Sequence, residues 1–262
     1  MFVKLIKIKY ERIKLYLSKV GETNVNSNGT PMKIIRYGNS ADVDIEFLDE
    51  HHYIKEHNTY RNFNRGVVKN PFDKTVFGIG YLGVGKYGTG KNDRNLRDTY
   101  IKWVAMLQRC YIDMGDMYKS YYNVADVCEE WLNYQNFAEW YESHYYELPD
   151  NEKLHLDKDI KYKGNKIYSP YACILVPQSI NEVFHRSREK QVDCDLPETI
   201  RRTKSGYKVW FRGESLGIYQ SVEECLEQYN KTKKDYIKEL IANKYNDLMP
   251  NDVKETILSW QP

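Results

Sequence analysis

Apolar and polar residues alternate in short runs over the first third of the chain. Residues 32–37 (MKIIRY), 43–48 (VDIEFL) and 65–69 (RGVVK) are β-branched or aromatic runs separated by Asn-Gly, Gly-Asn-Ser and Asn-Pro turns. That spacing predicts three short strands in a small, strongly bent sheet up to about Phe77. Residues 2–17 mix helical and alternating periods and specify neither state. Further on the period changes. Tyr100, Trp103, Val104, Leu107 and Tyr111 form one helical stripe, and Trp131, Tyr134, Phe137, Ala138 and Tyr141 a second on a helix over 129–143. Aromatic stripes at helical spacing read as core. Next come an alternating strand over 154–160 (LHLDKDI), a turn over 161–166 and a second strand over 167–176. A helix over 178–188 follows, with Ile180, Val183 and Phe184 on one face. The last third predicts strands over 198–203, 206–212 and 215–219. A capping box of Ser221 and Glu224 then opens a long helix reaching toward Tyr245.

Between the first two blocks, residues 78–90 hold six glycines and read as a linker. Gly85, Gly90 and Lys91 have the spacing of a phosphate-binding loop, but Asn92 stands where that loop needs a hydroxyl for magnesium. The linker reading is therefore kept. The fold class expected is α+β: a small N-terminal β domain over 1–77, a Gly-rich linker over 78–98, a central helical and ββα unit over 99–190, and a three-stranded sheet packed on a helix over 191–262.

Composition narrows the function classes. The 262 residues carry 29% charged and 41% hydrophobic side chains, which suits a globular chain rather than a disordered one. No apolar run approaches the length of a membrane span and the N-terminus is broken by lysines, so neither a span nor a signal peptide is expected. Five cysteines with no Cys-x-x-Cys pair fit a reducing, cytoplasmic setting better than a disulfide framework or a structural zinc. Aromatic residues reach 14%, with 24 tyrosines, which suits wet binding surfaces. The net charge of +2 is unevenly spread: residues 1–98 carry 17 basic and 11 acidic side chains, whereas 99–190 carry 11 and 14. A basic first third points toward a polyanionic partner.

The chemistry-bearing constellation lies in the ββα unit. A one-metal phosphodiesterase site needs a base to activate water and a hard cation held by oxygen or imidazole ligands. His155, Asp157 and Asp159 alternate on one expected strand face, and Asn181 and His185 lie four residues apart on the following helix. Their bland alternatives are solvent-facing strand charges paired with Lys158 and Lys161, a scaffold histidine, a turn-forming Asn165 and ordinary helix residues.

At these positions the chain resembles the HNH (His-Me finger) endonucleases of the homing type encoded by phages and bacteria. The resemblance runs over residues 100–188. It rests on Trp103, Met106, Arg109, Cys110 and Tyr111, on Val127, Cys128, Glu130 and Trp131, and on residues 156–160 (LDKDI). Gly164, Asn165, Tyr168, Ser169, Pro170, Cys173 and Asn181 complete it. The resemblance implies Asp157 and Asn181 as ligands of Mg2+ or another divalent cation, His185 as a second helix ligand, and Asn165 as the residue stiffening the hairpin. It also puts Lys158 where the family's general-base histidine stands. A lysine protonated at its ordinary pKa is no base, so His155 or Asp159 takes that role, or the site is silent.

The third block resembles the Apetala/ethylene-response-factor DNA-binding domain through residues 206–210 (GYKVW), Leu216, Gly217, Ser221, Glu223, Glu224 and Cys225. That resemblance implies a sheet lying in the major groove of double-stranded DNA, with Arg201, Arg202, Lys204, Lys208, Trp210 and Arg212 near the duplex. The first block resembles, more weakly, small β domains that precede such nuclease units, with Arg36, Arg61, Arg65 and Lys69 as phosphate contacts. Three readings remain: a DNA endonuclease, a silent DNA-binding regulator or counter-defence factor, and a tyrosine-rich protein-interaction module.

Overall fold

The computed structural model describes residues 18–90, 94–117, 119–184 and 195–260. It is a mixed α+β chain with several small sheets. Among the described residues no helix is long and apolar enough to cross a membrane. The chain forms two compact units. One holds the described residues up to Ile112 together with Leu132–Asn136; the other holds Asp113–Trp131 and the chain from Phe137 onward.

In the first unit, β1 (Thr23–Val25), β2 (Pro31–Asn39), β3 (Asp42–Phe47) and β4 (Ile54–Asn58) pair antiparallel in chain order. Alternation buries Met32, Ile34, Val43, Ile45 and Phe47 on one face, and a register shift after Ile34 brings Tyr37 onto it as well. Helix α1 (Tyr60–Asn64) starts where the Thr59 side chain accepts from the Asn62 N–H, and it drives Phe63 into the same core. The expected strand over 65–69 is a turn and loop instead. The outer strand β4 reads Ile-Lys-Glu-His-Asn, almost wholly exposed, and so shows no apolar alternation to find.

The glycine-rich stretch is packed rather than a free linker. A Cβ on Gly80 would meet Trp103 and Leu107, one on Gly83 would meet Asn133 at 2.2 Å, and one on Gly85 would meet Gln135 at 2.3 Å. Gln135 threads the loop: its Nε2 donates to the carbonyls of Leu82 and Tyr87, and its Oε1 accepts from the Tyr87 N–H. The glycines thus let a loop backbone touch helical side chains, in particular on α2 (Arg94–Tyr111). Lys91 and Asn92 of the phosphate-loop spacing lie outside the described residues.

β5 (Asp126–Val127) of the second unit leads into α3 (Glu129–Leu132) and α4 (Tyr134–His144), two helices where the stripe predicted one, with Leu132–Asn136 counted in the first unit. Strand β6 (Leu154–Asp157) pairs antiparallel with β8 (Ile174–Pro177), while β7 (Ile167–Tyr168) pairs parallel with β5. The expected second strand is therefore split in two around Pro170, which has no N–H to give a ladder. Helix α5 (Gln178–Phe184) follows β8 directly. The C-terminal sheet has the order β11 (Glu214–Tyr219), β10 (Gly206–Phe211), β9 (Ile200–Thr203), and α6 (Val222–Leu240) covers it over Leu196, Ile200, Val209 and Cys225. The capping box forms: Ser221 Oγ accepts from the Glu224 N–H, and Glu224 accepts from the Gln220 N–H.

Past α6 the chain makes a π-helical turn, Ile241–Tyr245, before α7 (Asn251–Leu258). That turn points Tyr245 inward, fully buried. Glu152 receives Tyr245 Oη and Lys244 Nζ on one carboxylate oxygen and the Ser179 N–H on the other. Nearby, Lys233 lies buried against the rings of Phe184 and Trp260, 4.7 and 4.5 Å from their centroids. Burial, and then the charge of Lys163, lower its ammonium pKa to about 8.

Burial alone would raise the Glu152 carboxyl, but its bonds to Lys244, Tyr245 and Ser179 outweigh it and hold the pKa down to about 2. The stability this provides is complete above the ordinary value of 4.5 and is lost as pH falls toward 2. Glu152→Gln is expected to lower the melting temperature at neutral pH, with the gap from wild type closing between pH 4.5 and 2; a gap independent of pH would refute this coupling.

Candidate functional site

β6 ends at Asp157, earlier than the alternation predicts, and the reason is local. Asp157 Oδ1 accepts from the backbone N–H groups of Asp159 and Ile160, at 2.8 and 2.7 Å, and so closes a turn. His155 and Asp157 keep the strand alternation, but Asp159 has left the strand face on which it was expected. Burial, and then the negative charge of Asp159, push the Asp157 carboxyl upward against the two backbone donors.

Lys158 is buried, its side chain only 7% exposed. Its ammonium lies 3.0 Å from Asp159 Oδ2, between the rings of Tyr121 and Tyr168 at 5.3 and 5.8 Å. A buried ammonium needs such compensation, and the pair with Asp159 plus two ring faces provides it. Across the strand, Asn181 Nδ2 of α5 donates to His155 Nδ1 at 3.1 Å, with Asn181 itself buried. A neutral imidazole that accepts at Nδ1 carries its proton on Nε2. Asn165 Nδ2 donates to the carbonyls of Lys158 and Ile167, both at 2.7 Å, and its Oδ1 accepts from the Ile167 N–H. His185 lies outside the described residues.

The expected ligands do not all converge. Among the described residues, one group of three His, Cys, Asp or Glu side chains has ligand atoms within 4.8 Å of one another, and it is Asp42, Asp44 and His57. Nothing in the sequence singled it out, because its members come from two strands. There Arg36 donates to both carboxylates, with Nη2 at 2.6 Å from Asp42 and 2.8 Å from Asp44, so the pair already shares a cation. The Arg36 and His57 hydrogen bonds hold the Asp42 carboxyl well below its usual range. Arg36, one of the expected phosphate contacts, is thereby committed to its own strand neighbours.

In the C-terminal sheet the pairing Lys208↔Arg201 puts both on the face away from α6. Trp210 lies on that face too. The Arg201 guanidinium and the Lys208 ammonium each stand 5.0 Å from its ring centroid. Ile218, opposite Lys208, is 48% exposed beside them. Lys204 is exposed in the turn between β9 and β10. Two expected contacts lie elsewhere. Arg202 pairs with Asp195 at 2.5 Å, because neighbours in a strand point to opposite faces. Arg212, at φ 51° in the next turn, stacks on Tyr236 of α6.

Asn165→Ala would leave the Lys158 and Ile167 carbonyls without this donor, a loss of about 1–3 kcal/mol in unfolding free energy. Asn165→Asp, of the same shape but unable to donate when ionised, is expected to lose at least as much. Urea unfolding curves of the two variants measure this, and wild-type midpoints would remove Asn165 from its bracing role.

Comparison of the chain with protein-family models, curated proteins and solved structures finds no match.

Proposed function

We propose that the protein binds double-stranded DNA through the outer face of its C-terminal sheet and that its ββα unit is an HNH-type endonuclease site. The observation that carries the DNA reading is the Trp210 ring flanked by Arg201 and Lys208. Two cations and an aromatic plane on one sheet face match phosphate oxygens and base edges together.

The donor chemistry fits one hard divalent cation such as Mg2+. Asp157 has a second carboxylate oxygen outside its turn hydrogen bonds, and Asn181 adds an amide oxygen from the helix. When bound there, the cation would supply charge stabilisation at the scissile phosphate. His155, with its proton on Nε2, is a donor to a phosphate oxygen rather than a base. Asp159, 46% exposed, is the carboxylate left to take a proton from water.

A second reading is favoured by Lys158. Its ammonium is closed in by Tyr121, Tyr168 and Asp159 at the position that the resemblance assigns to the general base. On that reading the ββα unit is a scaffold, and the protein binds DNA without cutting it.

Incubation with supercoiled plasmid, with magnesium or with chelator, separates the two. Metal-dependent nicking that Asp157→Ala abolishes, at unchanged DNA affinity, is the outcome expected of the endonuclease. Equal nicking by wild type and variant would sink the assignment, and binding with no strand break would select the scaffold. Trp210→Ala is expected to weaken duplex binding by about 1–3 kcal/mol, read by fluorescence anisotropy; unchanged affinity would remove the sheet face from the interface.

A further inference from the structure

The first unit has an open groove of about 650 Å³ between the turn joining β2 to β3, at Ser40 and Ala41, and the α1 segment, at Thr59, Tyr60, Arg61, Asn64 and Arg65. Arg61 and Arg65 stand four residues apart, so their side chains leave one side of the helical turn with Cβ atoms about 5–6 Å apart. Both are exposed. The acids that follow the β2–β3 turn are taken elsewhere: Asp42 and Asp44 bind Arg36, and His57 bonds to Asp42. No carboxylate of the described residues pairs with either Arg61 or Arg65, whereas Arg36 on strand β2 has two. Ser40 and Asn64 add a hydroxyl and an amide, both exposed.

The groove offers no base-stacking face. Tyr60 is its one aromatic residue, and that ring packs against Tyr37 and Phe63 while its hydroxyl is held by Lys19 and Glu22. A ligand meets two guanidinium groups and neutral donors in an open groove whose lining is otherwise largely apolar, with no ring offered for stacking. That suits a running phosphodiester backbone better than a mononucleotide.

We propose that this groove is a second DNA contact, in which Arg61 and Arg65 take successive backbone phosphates of a duplex without reading its sequence. The proposal rests on the DNA-binding reading above but on different residues in a different unit. Neutralising two phosphates contributes about 1.8 to the slope of log K against log salt.

The test is fluorescence anisotropy of the full chain with two duplexes of unrelated sequence across a potassium chloride series. Arg61→Ala with Arg65→Ala is expected to weaken binding to both duplexes alike and to reduce the slope by about 1.8. Arg61→Lys with Arg65→Lys should keep most of the slope, and Lys238→Ala, an exposed cation on α6, should change little. Ser40→Asp puts a negative charge in the groove without altering the helix and should flatten the slope as well, which keeps the test valid if the double alanine variant is poorly folded. An unchanged slope in both the double alanine and Ser40→Asp variants, with wild type binding normally, overturns the groove and leaves the sheet-face reading standing. Failure of wild type to bind either duplex overturns both.

Discussion

The half-buried Glu152 carboxylate holds the start of the candidate site's helix. One oxygen holds the Ser179 N–H, in the first turn of α5, and the other holds Tyr245 and Lys244 from the π turn. Ser179 Oγ and Tyr245 Oη close the set at 2.7 Å. A helix start has N–H groups with no intrahelical partner, and a carboxylate is a favourable neighbour for them. With its start fixed, α5 has its third and fourth residues set against β6, and Asn181 comes opposite His155. The π turn has a structural reason in the same contact. Its wider register lets Tyr245 reach a carboxylate that lies more than ninety residues earlier in the chain.

Cations are used in two different ways. Arg36 and Lys158 are consumed internally, the first by two aspartates and the second by one aspartate and two tyrosine rings. Arg201 and Lys208 instead flank an indole on a sheet face, and Arg61 and Arg65 line an open groove. A guanidinium already bonded to two carboxylates has little to offer a phosphate, because a new partner must displace existing charge-assisted hydrogen bonds. The number of basic residues in the first third is therefore a poor guide to how many cations it presents to a partner. What separates Arg61 from Arg36 is the position of acids on neighbouring strands.

That distinction also marks what was legible in the sequence. The strands β2 and β3, the C-terminal sheet and the Ser221 cap follow from alternation and local capping chemistry, which act over a few residues. Strand β4 was hidden because an exposed edge has no buried face to impose a period. The Gly80–Gly85 stretch read as a linker because its purpose, close approach to Trp103, Asn133 and Gln135, depends on residues far along the chain. At the candidate site, the strand alternation named His155 and the helix spacing named Asn181, but the hydrogen bond between them depends on tertiary packing. The early end of β6 was not legible. Asp157 was taken as a functional side chain, yet one of its oxygens closes a turn on its own backbone; an aspartate can do this anywhere, and inside an alternating run with no Gly or Pro the strand period outweighs that signal.

The roles assigned to Asn181 and His155 cannot be varied independently. An amide presents its oxygen on one side and its NH2 on the other. With NH2 toward His155 Nδ1, the oxygen is turned away from the ring and suits a cation, but the imidazole proton is then confined to Nε2 and the ring cannot take a proton from water. Turning the amide over would free Nε2 as a base and remove the oxygen from the cation in the same motion. One residue thus couples metal holding to the loss of a histidine base. Lys158, closed in by Asp159 and two rings, does not restore one. On the endonuclease reading proposed above, the base would have to be Asp159, whose carboxylate also pairs with Lys158. Asp159 would then have to pair with Lys158 and meet water at once, which is the geometric reason that the scaffold reading stands beside the endonuclease one.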